Sequence, residues 1–64
     1  MNKFELERRK LGLTQRELAE KIGMSRVEIC NIEHGKVIPR PSTCKKLADL
    51  FGIDVSELFG WKAD

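Results

Sequence analysis

The sequence predicts an all-α fold of five short helices, and three observations carry that expectation. Apolar residues recur at the 3.6-residue period of a helix, and no segment alternates with the two-residue period of a strand. Residues suited to helix N-caps precede the periodic stretches, and glycines stand where the period breaks off. The 64 residues leave room for one small domain, residues 1–64, without linker, repeat or low-complexity stretch. A chain of this size removes only about 60% of its unfolded surface from water. Catalytic machinery with a pocket and a supporting shell is therefore not expected.

Each helix has its own local justification. Asn2 can cap the first, with Glu5 three residues on; Phe4, Arg8 and Leu11 then share one face and Gly12 supplies a stop. Thr14-Gln15-Arg16-Glu17 is a capping box, followed by an inward stripe of Leu18, Ala19 and Ile22, and Gly23 ends that helix in a left-handed turn. The box repeats as Ser25-Arg26-Val27-Glu28, with Ile29 and Ile32 facing in and Gly35 as the stop. Pro41 marks the first turn of a fourth helix, with Ser42 as a competing N-cap. Cys44, Leu47, Ala48 and Phe51 recur along it, and Gly52 closes it. A short fifth helix starts at Asp54, with Glu57 three residues later, and carries Leu58 and Phe59.

The formal net charge is only +2, but its distribution is uneven. Residues 1–46 hold eleven Lys/Arg against six Asp/Glu, whereas residues 47–64 hold Lys62 against Asp49, Asp54, Glu57 and Asp64. Between His34 and Lys46 there are four Lys/Arg and no carboxylate. Such polarity suggests one face meant for an anionic partner. The longest apolar run, Val37-Ile38-Pro39, is far short of a membrane span. Residues 1–10 alternate charges with single apolar residues, unlike a signal peptide. No membrane association is expected; the expected location is the cytoplasm, at the nucleoid.

The second and third helices are joined by almost nothing, since only Gly23-Met24 separates Ile22 from the second capping box. They must cross steeply rather than lie antiparallel. Such a crossing needs a small residue at the contact, a turn residue tolerant of positive φ and an apolar anchor on the next helix. Ala19, Gly23 and Ile29 meet those needs. Together with Gln15 they have the spacing of a helix-turn-helix.

Here the chain resembles the lambda repressor and Cro-like (XRE-type) helix-turn-helix regulators. The pattern runs in order through Gly12-Leu13-Thr14-Gln15, Glu17-Leu18-Ala19, Ile22-Gly23, Ser25, Ile29, Ile32-Glu33, Gly35-Lys36 and Pro39. It continues through Leu47-Ala48, Leu50, Gly52-Ile53 and Glu57-Leu58, so that the likeness covers about residues 4–59. The resemblance implies a compact five-helix, lambda repressor-like domain that binds double-stranded DNA, usually as a symmetric homodimer, with its third helix in the major groove. It implies a phosphate contact for Gln15 at the first turn of helix 2. Where family members most often carry a small capping residue, this chain has Arg40 followed by Pro41.

If Ile29 and Ile32 face the core, the opposite side of helix 3 shows Arg26, Val27, Cys30 and Asn31, with Ser25 at its tip. Arg26 can donate twice to guanine O6 and N7, Asn31 can pair with adenine N6 and N7, and Val27 can touch a thymine methyl. Each good bidentate pair contributes about 1–3 kcal/mol of discrimination. Glu28 is expected to cap its helix, with acceptance of a hydrogen bond from cytosine as the alternative. Lys36, His34 and Arg40 are placed to follow a flanking phosphate backbone. Arg8 interrupts an apolar stripe and needs a partner inside; Glu33 is the candidate, and the family pattern also pairs these positions.

Other chemistries find less support. Cys30 and Cys44, in a chain without a secretory signal, do not suggest a structural disulfide. Cys44 sits at an apolar position, and Cys30 beside the reading face is open to a redox role. Cys30, His34 and Cys44 could mimic zinc ligands, but no second close ligand pair completes a site, so no metal or cofactor is expected. Phe4, Phe51, Phe59 and Trp61 all lie outside residues 12–50, where the positive charge is. A single-strand reader would interleave the two. Phe59 and Trp61 can cap the core or meet a second copy, and a dimer would read a near-palindrome with half-sites about 34–36 Å apart. The expected function is transcriptional regulation without enzymatic activity or an evident small-molecule effector. A stand-alone repressor, a phage or plasmid switch and a restriction-modification controller are equally compatible. The alternative is an antitoxin-type or protein-interaction module in which DNA binding is secondary or lost.

Overall fold

The computed structural model describes residues 2–60. Its five helices are α1 (Lys3–Lys10), α2 (Gln15–Ile22), α3 (Arg26–Glu33), α4 (Pro41–Phe51) and α5 (Val55–Phe59), and no strand occurs among the described residues. Trp61, Lys62 and Asp64 lie outside the described residues, and so does any role of Trp61 in core or interface.

The helix starts follow the local chemistry, with two exceptions. Asn2 Oδ1 accepts the Glu5 N–H at 2.9 Å. In the box before α2, Thr14 Oγ1 accepts the Glu17 N–H at 3.0 Å and Glu17 Oε1 accepts the Thr14 N–H at 2.9 Å. In the box before α3, Ser25 Oγ accepts the Glu28 N–H at 3.1 Å and Glu28 Oε1 accepts the Ser25 N–H at 2.9 Å. At α4, however, Ser42 is not the cap: Arg40 holds that position without a side-chain cap bond, and Pro41 opens the helix. The proline ring disfavours helical backbone at Arg40, so the boundary is set sterically rather than by a hydroxyl. Asp54 is the N-cap of α5, yet its side chain accepts no cap bond, so the expected box with Glu57 does not close. That five-residue helix is held by packing, through the buried Leu58.

Leu11 departs from the expected stripe of α1. The helix ends at Lys10, and Leu11 is its C-cap, 46% exposed. Gly12, at φ 71°, turns the chain away one residue later. A residue at that turn no longer shares the helical face, and the buried side chains of α1 are Phe4, Glu7 and Arg8. Glu7 is a burial that the apolar pattern does not signal. Lys3 and Lys10 reach it at 3.1 and 3.2 Å, and their hydrogen bonds hold its carboxyl below the usual range against the opposing effect of burial.

The core gathers Phe4, Leu18, Ala19, Ile29, Ile32, Leu47, Ala48, Phe51 and Leu58 from all five helices. Leu18, Ile29 and Leu47 have no solvent exposure. α1 packs on α5, α4 on α5 and α2 on α3. Phe4 meets Phe51 edge to face at 5.4 Å between centroids, and the half-buried Phe59 lies 6.3 Å from Phe4.

The Arg8–Glu33 pair forms as expected. Arg8 Nε donates to Glu33 Oε1 at 2.8 Å, Nη2 to Oε2 at 3.3 Å and Nη1 to the Leu13 carbonyl at 2.7 Å. The side chains are 9% and 5% exposed. Removing one partner strands the other charge, so Arg8→Ala or Glu33→Ala is expected to cost about 3–5 kcal/mol. In a domain this small, thermal melting would show a drop of more than about 10 °C. The double variant Arg8→Met/Glu33→Leu should recover most of that loss; melting as low as the single variants would contradict the stranded-charge account.

Candidate nucleic-acid interface

The geometry that presents α3 begins at the turn before it. Gly23 adopts φ 80°, ψ 32°, and its N–H and that of Met24 both reach the Ala19 carbonyl, at 2.8 and 2.9 Å. A Cβ at Gly23 would meet nothing within 4 Å, so the turn demands glycine for its backbone conformation and not for space. Ala19 and Ile29 are both sealed in the core. The three residues inferred to build the turn have those positions.

Along α3 the faces separate cleanly. Ile29 and Ile32 are buried, Arg26 is exposed, Val27 is 60% exposed, and Cys30 and Asn31 are half-buried. Ser25 and Glu28 are also exposed, but each is engaged in the capping box. Of the five residues expected to read bases, Arg26, Val27 and Asn31 take no part in the capping box, and Arg26 uses a single N–H within the protein, on Gln15. Glu28, Asn31, Arg40 and Thr43 border an open cleft of about 270 Å³ whose apolar lining includes Met24 and Ile32. Arg40, distant in sequence, is thereby brought beside α3. Thr43, which also lines the cleft, was not singled out by the sequence, because the pattern of α4 gives a half-buried threonine no distinguishing mark.

Gln15, expected to contact a phosphate through its side chain and backbone N–H, also bonds within the protein through both ends of its amide. Its Nε2 donates inward to Glu33 Oε2 at 3.1 Å, and its Oε1 accepts from Arg26 Nη1 at 3.3 Å. Backbone N–H groups of the first turn of α2 and the second Nε2 hydrogen are the donors left for an anion there. His34 is exposed, with Nδ1 2.8 Å from the Cys30 carbonyl oxygen and 3.5 Å from Cys30 Sγ. Lys36 is exposed, and its N–H bonds the Asn31 carbonyl at 2.9 Å. Val37 and Ile38, at 46% and 78% exposure, continue this loop.

Cys44 is buried, with Sγ 3.4 Å from the Pro39 carbonyl, and burial pushes its thiol pKa up. Both cysteines are free. Among the described residues no three His, Cys, Asp or Glu side chains are placed to share a metal ion, so Cys44 does not join Cys30 and His34. No helix among the described residues is long and apolar enough to cross a membrane.

Two helices joined through a left-handed glycine, the second with a sealed apolar face and an open polar one, make this a helix-turn-helix domain. Residues 5–58 match the sequence profile described as helix-turn-helix, and the chain belongs to that family, the lambda repressor-like regulators. It is 38% identical over 63 residues to an uncharacterised helix-turn-helix-type transcriptional regulator of Methanocaldococcus jannaschii, covering 98% of this chain and 96% of that one. It is 42% identical over 52 residues to the helix-turn-helix-type transcriptional regulator PuuR of Escherichia coli, covering 81% of this chain but only 28% of PuuR. Against the ImmF control region 10 kDa protein of Bacillus phage phi105 the identity is 35% over 52 residues, covering 81% and 58% of the two chains. No solved structure matches the chain. The family is one of transcriptional regulators and not of enzymes.

The two capping carboxylates give the interface a pH signature. The Thr14 N–H holds Glu17, and the Ser25 N–H holds Glu28, below the usual carboxylate range. With a folded pKa below the unfolded one, their stabilisation is complete above the unfolded value, about 4.3. It is lost as pH falls through the depressed folded value. Glutamine can still accept the N-cap N–H, without titrating. Between pH 7 and pH 3 a Glu17→Gln/Glu28→Gln variant is therefore expected to lose less thermal stability than the parent. Equal losses in parallel melts would show that the boxes do not contribute.

Proposed function

We propose that this chain is a sequence-specific transcriptional regulator that binds double-stranded DNA with α3 in the major groove. The observation that carries the reading is the division of α3. Ile29 and Ile32 are sealed in the core while Arg26, Val27 and Asn31 stand on the open side of the same helix. That leaves a guanidinium, a branched methyl pair and an amide, which suit guanine, thymine and adenine edges respectively. Lys36, His34 and Arg40 are exposed on the loop and helix start beyond α3, where they suit phosphate contact. The first turn of α2 would add its backbone N–H groups.

We further infer a two-fold homodimer acting on a near-palindromic operator, as a repressor or a control switch of phage, plasmid or restriction-modification type. Two copies would double the contacts of a small interface, and their symmetry would impose half-sites one helical turn apart, about 34–36 Å or a multiple. The relative in the phage phi105 ImmF control region supports the switch reading.

Selection of bound sequences from a random duplex library, at two salt concentrations, tests the reading. An enriched near-palindrome is expected; weak binding without enrichment, vanishing at moderate salt, would sink it. Within the enriched site, Arg26→Ala should relax a single base position at a cost of about 1–3 kcal/mol. Arg40→Ala should instead weaken all sequences alike and reduce the salt slope by about 1. Identical behaviour of the two variants would contradict the division into readers and anchors.

A further inference from the structure

Arg26 is the outer end of a hydrogen-bond chain that begins in the interior. At the inner end the Glu33 carboxylate, 5% exposed, receives Arg8 Nε at 2.8 Å on Oε1 and Arg8 Nη2 at 3.3 Å on Oε2. Oε2 also receives Gln15 Nε2 at 3.1 Å. The opposite end of that amide, Gln15 Oε1, accepts from Arg26 Nη1 at 3.3 Å. The chain therefore runs from α1 through the last turn of α3 and the first turn of α2 to the exposed start of α3.

The direction of every bond in it is dictated by chemistry. An ionised carboxylate only accepts, so Glu33 selects the NH2 end of the Gln15 amide. The planar amide then presents its carbonyl on the other side. A guanidinium only donates, so the carbonyl is the end able to hold Arg26. Were the amide reversed, NH2 would face guanidinium, donor against donor. Holding Arg26 uses one of five guanidinium N–H groups and leaves a fork for a base edge.

We propose that Glu33 is a positioning residue for DNA readout: it fixes which end of the Gln15 amide faces outward and so aims the Arg26 guanidinium before DNA arrives. This rests on the reading of Arg26 as a base reader. The gain is preorganisation, since a guanidinium already ordered in the free protein loses less rotamer freedom on binding. Glu33 is thus more than the partner of Arg8. Its second oxygen serves the reading face.

The test compares the parent chain with Gln15→Leu, Glu33→Gln and their double variant. Two readouts are taken: random-duplex selection, and 15N relaxation of the Arg26 Nε–H group without DNA. Gln15→Leu leaves the Arg8–Glu33 pair intact. It is expected to lower discrimination about 2- to 10-fold, the worth of one hydrogen bond, at the position that Arg26→Ala relaxes and at no other. The Arg26 Nε–H should become more mobile. Glu33→Gln should do the same, and the double variant should lose no more discrimination than Gln15→Leu alone. Unchanged discrimination with unchanged Arg26 order in Gln15→Leu would overturn the proposal, as would additive losses in the double variant. If Glu33→Gln does not fold, the two readouts on Gln15→Leu decide. A parent chain that selects no sequence overturns the regulator reading, whereas the relaxation data still report whether Arg26 is held.

Discussion

The buried ion pair of Arg8 and Glu33 holds α1, the approach to α2 and the end of α3 in one place. A small domain can hold few charges inside, and of the three buried here, Glu7, Arg8 and Glu33, the last two meet between α1 and the end of α3. Arg8 ties α1 to the end of α3 through Glu33 and to the loop before α2 through the Leu13 carbonyl. Asn2 adds a hydrogen bond from its side-chain amide to the Glu33 carbonyl. Both ends of α1 are thus fastened to α3 or its approach. The desolvation of two ions is offset only by such complete hydrogen bonding, and among the described residues no buried side-chain polar atom lacks a partner.

Around that centre, the helix caps and the proposed reading face use different atoms of the same short helices. Thr14, Glu17, Ser25 and Glu28 close the backbone groups at the starts of α2 and α3. Their capping bonds secure the helices without help from the exposed side chains of Arg26, Val27 and Asn31. A helix of eight residues is too short to persist by propensity. It depends on the box at one end and on Ile29 and Ile32 beneath, which is what frees its outer face for a partner.

The small net charge is a poor guide to this arrangement. Arg8 is neutralised inside by Glu33, and Arg9, Lys3 and Lys10 are engaged by Glu5 and Glu7 on α1 itself. The more exposed Arg9–Glu5 pair contributes little stability, but together these pairs remove α1 from the cationic surface. Arg26, Lys36 and Arg40 remain exposed on the side of α3 and its following loop. In the proposed reading, a modest total with this distribution favours discrimination by a few side chains over general attraction to polyanions.

Much of this was legible in the residues alone. Local signals act over three or four positions, so the two capping boxes, the Gly23 turn, the proline start of α4 and the buried faces of α2, α3 and α4 could all be inferred from spacing. Where the signals gave out, the missing information was long-range. The exposure of Leu11, the burial of Glu7 and the silence of Asp54 as a side-chain cap depend on neighbours and turns that periodicity does not encode. The class of fold and the outer face of α3 follow from the residue order alone, because hydrophobic period and capping chemistry are properties of contiguous residues. It took the folded chain to turn one end of the Gln15 amide inward to Glu33 and the other outward to Arg26. That orientation is set by a carboxylate eighteen residues away along the chain, which can only accept, and which the fold delivers to the amide.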